Sequence, residues 1–323
     1  MHKINWIDTV RGIAILLMMV GHTGIPAPVE RYIYSFHMPL FFLLSGMLFV
    51  DGKYGFAEYV KRKARSLLVP YVVFTPIIYA AYRLSDDAGL FRAEWVNPSW
   101  ITQGVGDYPL WFLIILFLTS ILFFWIAKLP ARLIAVVATV CIMVAQWLDW
   151  HSVVLPYDLA ALPLSLSFVA LGYLLRHWLL NARLAWWQMC LLAVISVAAS
   201  ALLPRLDVVR NETGISVLNI GNALVGTVVC FQVSRTRWME GRYGALLRRC
   251  GRNAMIFIIF SVFFNEFLLK TAQHFHLAEL LGVPNAMLTL VRYALMALLY
   301  WLLATAINRW APQLLGKSVK KAR

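Results

Sequence analysis

The chain has 323 residues, of which 61% are hydrophobic and 14% charged, with a mean hydropathy of +0.73 and a net charge of +14. That balance excludes an ordinary soluble domain and predicts an all-α polytopic membrane protein. The basic residues are spread among short segments instead of forming one patch, so anionic membrane lipids are the expected partner and nucleic acid is set aside.

Apolar segments long enough to cross the hydrocarbon as helices fall near 7–25, 32–50, 67–83, 108–127, 132–148, 159–176, 185–203, 216–234, 254–270 and 287–308. Breaks between them carry Pro, Gly, Asn or charge clusters, as in "LSDDAGLFRAEWVNPSWITQGVGD" and "PRLDVVRNETG".

In the first segment, "RGIAILLMMVGHTG", Arg11 and His22 are eleven positions apart, about 20° beyond three full helical turns. They share a helix face and are about 16 Å apart along it. Two readings of Arg11 stay open on physics alone: a guanidinium snorkelling to headgroups beside Asp8, or a functional charge inside a span. His22 is likewise either a neutral imidazole bonded between helices or a working group.

The second segment, "YIYSFHMPLFFLLSGMLF", places His37 at a depth similar to that of His22, so the two can share a polar pocket. A packing role for His37 stands beside that reading, because Pro39 frees a backbone carbonyl that an imidazole can satisfy. Ser45 and Gly46 read as a close-packing patch between helices, not a nucleophile site. The next loop, "KYGFAEYVKRKARSLLVPY", gathers Lys61, Arg62, Lys63 and Arg65 at the start of the third segment. Trp111 in "PLWFL" suits an interfacial aromatic position.

Placing the N-terminus inside and alternating sides puts most of the 29 Lys and Arg in inner segments, with only Asp8, Asp51, Glu58 and Glu240 among the acidic residues there. The expectation is about ten transmembrane helices with both termini cytoplasmic. They form a single membrane domain over 1–323, with no separate soluble domain and a basic cytoplasmic tail at about 309–323. The four cysteines lack metal-type spacing and an outer partner, so neither a disulfide nor a metal is expected. The N-terminus lacks the features of a removable signal, so its first span is expected to persist as a helix.

"WIDTVRGIAILLMMVGHT" followed by "FHMPLFFLLSG" resembles the start of the bacterial membrane-bound acyltransferase 3 family, in particular its branch of fucose 4-O-acetylase-like sugar O-acetyltransferases. "PLWFLIILF" and "CGRNAMIFIIF" extend the similarity more weakly. The resemblance implies an O-acetyltransferase of the bacterial inner membrane that takes acetyl from cytoplasmic acetyl-CoA and delivers it to a hydroxyl of a cell-surface or lipid-linked glycan. It further implies that Arg11 and His22 are the functional pair. His22 would serve as general base or acyl acceptor and Arg11 would bind the donor, with Lys61, Arg62 and Arg65 in the donor-binding region. Trp111 matches an aromatic position of the family, and with Asp8 and His37 it completes the candidates for an acceptor pocket or its support.

Two departures stand out. Relatives often carry a histidine where this chain has Ser261, followed here by Asn265 and Glu266, which puts a catalytic role for that helix in doubt. Some relatives also have a large periplasmic esterase-like domain, whereas this chain ends at "QLLGKSVKKAR". A transporter of a small solute or lipid-linked sugar is the competing class, since buried Arg and His suit it too, but no paired interrupted helices support it.

Overall fold

The computed structural model describes residues 5–87 and 109–317, so most of the charged segment expected as a break at 84–107, Lys3 and the last six residues of the basic tail lie outside the described residues. Among the described residues all regular elements are helical, and the only extended pairing is an isolated antiparallel bridge between Asp207 and Glu212.

The chain opens with α1 (Asn5–Gly21) and α2 (Ala27–Met47), joined by a tight turn. The short α3 (Phe56–Lys63) runs through a π turn at Ala64–Leu68 into α4 (Val69–Asp87). Then follow α5 (Trp111–Ile126), α6 (Ala131–Trp150), α7 (Leu162–Leu174), α8 (Arg176–Asn181), α9 (Trp186–Leu202) and α10 (Ser216–Ser234). The C-terminal part holds α11 (Arg242–Arg252), α12 (Ala254–His274), α13 (Leu277–Leu281) and α14 (Asn285–Trp310).

Among the described residues, six helical stretches are long and apolar enough to cross a membrane: Phe56–Ala81, Ala131–Trp150, Pro156–Leu174, Ser216–Ser234, Ala254–His274 and Met287–Trp310. Trp111–Ile126 and Trp186–Leu202 are apolar but shorter. The outward faces are apolar, with Met143 and Val194 each 65% and Leu290 69% exposed, which is the surface a bilayer solvates and water does not. This is a multi-pass membrane protein.

α1 and α2 are not among the six, and their position explains it. α1 has 17 residues and carries Asp8 and Arg11, and α2 carries Glu30 and Arg31 near its start. Both run through the centre of the bundle, α1 against α2, α10, α11 and α12, and α2 against α7, α9 and α10. Asp8 is therefore buried and Arg11 and Glu30 partly buried among other helices, with Arg31 left exposed near the start of α2, and overall apolarity is not demanded of these two helices.

Two crossings set this centre, and both depend on missing side chains. A Cβ on Gly12 of α1 would overlap the Leu247 carbonyl of α11, and one on Gly251 of α11 would overlap the Asp8 carbonyl of α1. Reciprocally, Gly46 of α2 lies against the Val169 carbonyl and Gly172 of α7 against the Leu43 carbonyl. Small residues allow backbones to approach where no hydrophobic force drives helices together. The Gly46 crossing is the close-packing patch read from the sequence; Ser45 beside it lines a cavity. By contrast α11 lies in a stretch treated as a cytoplasmic loop. Its Arg242, Arg248, Arg249 and Arg252 mask an amphipathic helix whose Leu247 and Gly251 sides pack on α1.

Candidate active site

Two cavities are stacked along α2. The first, about 290 Å³, touches α2 at Glu30, Tyr34, His37, Met38 and Phe41, α1 at Met18 and Gly21, and His22 just beyond α1. The second, about 390 Å³, continues along α2 from Phe41 and past its end to Val50, and reaches Arg11 on α1. Arg11 and His22 thus line different chambers of this stack.

His22 stands one residue beyond the last turn of α1, its N–H still bonded back to Met18 and Met19 carbonyls at 3.2 Å. Its own carbonyl, one of the acceptors a helix end leaves unmatched, is taken by Asn265 Nδ2 of α12 at 3.1 Å. The imidazole Nδ1 is 3.4 Å from the Tyr34 hydroxyl, a long hydrogen bond, with the rings nearly perpendicular and their centroids 6.0 Å apart. Tyr34 also meets His37 edge to face at 4.9 Å, so it stands between the two imidazoles. His37 is 2% exposed, and its Nδ1 is 2.8 Å from the Ile33 carbonyl. A carbonyl only accepts, so Nδ1 of His37 carries the proton of this bond. The partner is the Ile33 carbonyl and not that of Ser35, which Pro39 deprives of its helical N–H.

The wall opposite comes from the loop "PRLDVVRNETG". The Arg205 guanidinium lies 4.3 Å from the Tyr34 ring centroid and pairs with Asp207 at 3.0 Å and Glu30 at 3.2 Å. Burial pushes the Asp207 carboxyl above its ordinary pKa, and Arg205 works against that rise. The loop is fastened from behind. Asn211, at φ 52°, gives its Nδ2 to the Ala145 carbonyl at 2.9 Å, and Thr213 donates through N and Oγ1 to Asp149 Oδ2 at 2.8 and 2.7 Å. Ser216 bonds Gln146 next to them. These ties to α6 hold Arg205, Asp207 and Arg210 at the mouth of the first cavity. Trp111, 5% exposed, lines the same cavity, so its ring faces the site instead of lipid.

The second cavity is basic. Besides Arg11 it is lined by Lys53, Lys63 and Arg252, with Tyr54 and Tyr59 among its rings. Asp8, 8% exposed, is near enough for its charge to act on Arg11. Lys61, Arg62 and Arg65 are not in the lining. Lys61 points to the exterior, Arg62 pairs with Glu58 at 2.8 Å, and Arg65 donates to the Lys317 carbonyl at 3.3 Å. The structure therefore brings together Arg11, Asp8 and Lys63 at one level, and His22, His37 and Trp111 at the other.

Several lining residues escaped the sequence reading. Tyr34 was within reach of it, since Tyr34, His37, Phe41 and Ser45 recur at three- and four-residue steps and form one helix face. Arg205, Asp207 and Arg210 gave only the signal of a charge-rich break, and Asn265 none beyond being a polar residue in an apolar run. Among the described residues no group of three or more His, Cys, Asp or Glu is arranged to hold a metal ion.

Comparison with protein families matches residues 4–311 to the model described as an acyltransferase domain. Comparisons with curated proteins and with solved structures give no significant match.

Proposed function

Because this chain belongs to the acyltransferase family, we propose that its stacked chambers carry an acetyl group from acetyl-CoA at the Arg11 end to a glycan hydroxyl at the His22 end. The observation that carries the reading is the sorting of chemistry along this stack: four cations around one chamber, and two imidazoles with a polar, aromatic-walled mouth around the next. Phosphates of a nucleotide donor suit Arg11, Lys53, Lys63 and Arg252. Carboxylates and guanidinium groups at Glu30, Asp207 and Arg205, with the Trp111 ring, suit a polyhydroxylated acceptor. On this reading ten helices span a bacterial cytoplasmic membrane, both termini are cytoplasmic, and the Arg11 chamber opens inward. The acceptor is a cell-surface or lipid-linked glycan.

The chemistry follows from the tautomer. If Nδ1–H of His22 donates to the Tyr34 oxygen, Nε2 carries the lone pair that takes the proton of a sugar hydroxyl as that oxygen attacks the thioester carbonyl. The tetrahedral adduct collapses with cleavage of the carbon–sulfur bond. The leaving thiolate accepts the proton from Nε2, giving an O-acetyl ester and coenzyme A. Direct transfer needs only one ordered imidazole, and the Asn265 and Tyr34 contacts order this one.

Surface glycans from cells with the gene, without it, and with His22→Ala give the test by mass spectrometry. Loss of O-acetyl groups in the last two samples, with the variant inserted normally, is the expected outcome. Unchanged acetylation in all three overturns the reading.

A further inference from the structure

The two chambers share three wall residues: Phe41 of α2, Phe112 of α5 and Ile258 of α12. Phe112 is 4% and Ile258 5% exposed, so both are embedded in the bundle and not hanging in an open channel. The Phe41 and Phe112 rings lie 5.6 Å apart, tilted by 60°, and Phe42 closes on the far side of Phe112 at 5.3 Å. No polar residue lines both chambers.

We propose that Phe41, Phe112 and Ile258 form the gate through which the acyl group passes between chambers, and that their bulk selects for short acyl chains. The inference rests on the transfer reading above. A donor whose phosphates stay among the cations must push its thioester past this waist to reach His22. Three large side chains from three different helices leave room for a narrow thioester arm only by rotating aside. Each methylene added to the acyl group raises the demand on that opening, and packed apolar walls discriminate single methylenes by roughly 10- to 200-fold. The waist also answers a membrane's need for a seal, because two polar chambers joined without it make a water-filled path.

The test uses membrane vesicles that retain their native glycans and contain the full-length protein, supplied with radiolabelled acetyl-, propionyl- or butyryl-CoA. Wild type is expected to prefer acetyl. Phe112→Ala and Ile258→Ala are each expected to raise the butyryl-to-acetyl ratio of kcat/KM by at least about tenfold. Ile258→Phe is expected to slow all three donors while free coenzyme A still binds, and that binding also reports that each variant is folded. An unaltered chain-length ratio in both Ala variants, with coenzyme A still bound, overturns the gate but not acyl transfer. Failure of wild type to transfer any acyl group removes the transfer reading, and the gate with it.

Discussion

Asn265 gives its side-chain amide to the main-chain carbonyl of His22 at 3.1 Å, tying residues 243 positions apart in sequence. The bond lies at the end of α1, where a helix has no N–H of its own to offer the carbonyl. It fixes the backbone that carries the imidazole without touching the ring. A histidine is absent from Ser261 on the same helix, yet α12 still acts on the site through Asn265.

Asn265→Ala removes the donor and leaves the carbonyl unmatched. Hydrogen bonds between helices in membranes are worth about 0.6 kcal/mol on average, so the protein is expected to insert and fold with little loss of thermal stability. The effect falls on His22 placement instead. Acetyl transfer is expected to drop at least tenfold in kcat, since a misplacement of about 1 Å can cost 100-fold, while KM for acetyl-CoA stays near wild type. Steady-state kinetics on the reconstituted variant decides it, and a rise in donor KM alone contradicts the assignment.

Tyr34→Phe separates the hydroxyl from the ring. Phe keeps the edge contact with His37 and the face under Arg205, and loses only the oxygen 3.4 Å from His22 Nδ1. Transfer is expected to slow by about tenfold, with folding intact, because the imidazole loses the partner that selects its tautomer. Arg205→Ala acts one step farther out and is expected to weaken acceptor use more than kcat. Equal rates for Tyr34→Phe and wild type contradict an orienting role for the Tyr34 hydroxyl.

The helical class was legible from apolar length, and the similar level of His22 and His37 from depth along two consecutive segments. Residues brought in from distant positions were not. Arg205 reaches the site because Asn211, Thr213 and Ser216 tie its loop to α6, a set of contacts with no local signature. The basic cluster at 61–65 shows the same limit in reverse. Composition marks all its members alike, but their places around α3 direct Lys63 inward, set Arg62 one turn from Glu58 and leave Lys61 outside.

That sorting makes the basic residues separable by experiment. Lys63→Ala and Arg252→Ala each remove a cation from the lower chamber and are expected to raise KM for acetyl-CoA roughly tenfold or more, the scale of one charge-assisted hydrogen bond to a phosphate. Lys61→Ala and Arg62→Ala are expected to change it by less than about twofold, because exposed charges are screened and the Arg62–Glu58 pair contributes little. Titration with coenzyme A checks the ranking directly, and a larger effect from Lys61 than from Lys63 reverses it.

Gly12→Ala tests whether the crossing of α1 and α11 holds Arg11 and His22 in register with their chambers. The added methyl meets the backbone carbonyl of Leu247, which cannot rotate away as a side chain does, so one helix must move. Gly251→Ala presses on the Asp8 carbonyl from the other side of the same crossing. Each is expected to lower the unfolding temperature and to cut transfer activity more than tenfold. Gly55→Ala, at a position with open space around it, is expected to change neither. A Gly12→Ala protein with wild-type melting and turnover requires that α11 can withdraw freely from α1. In that case the placement of Arg11 beside its chamber rests on α2, α10 and α12.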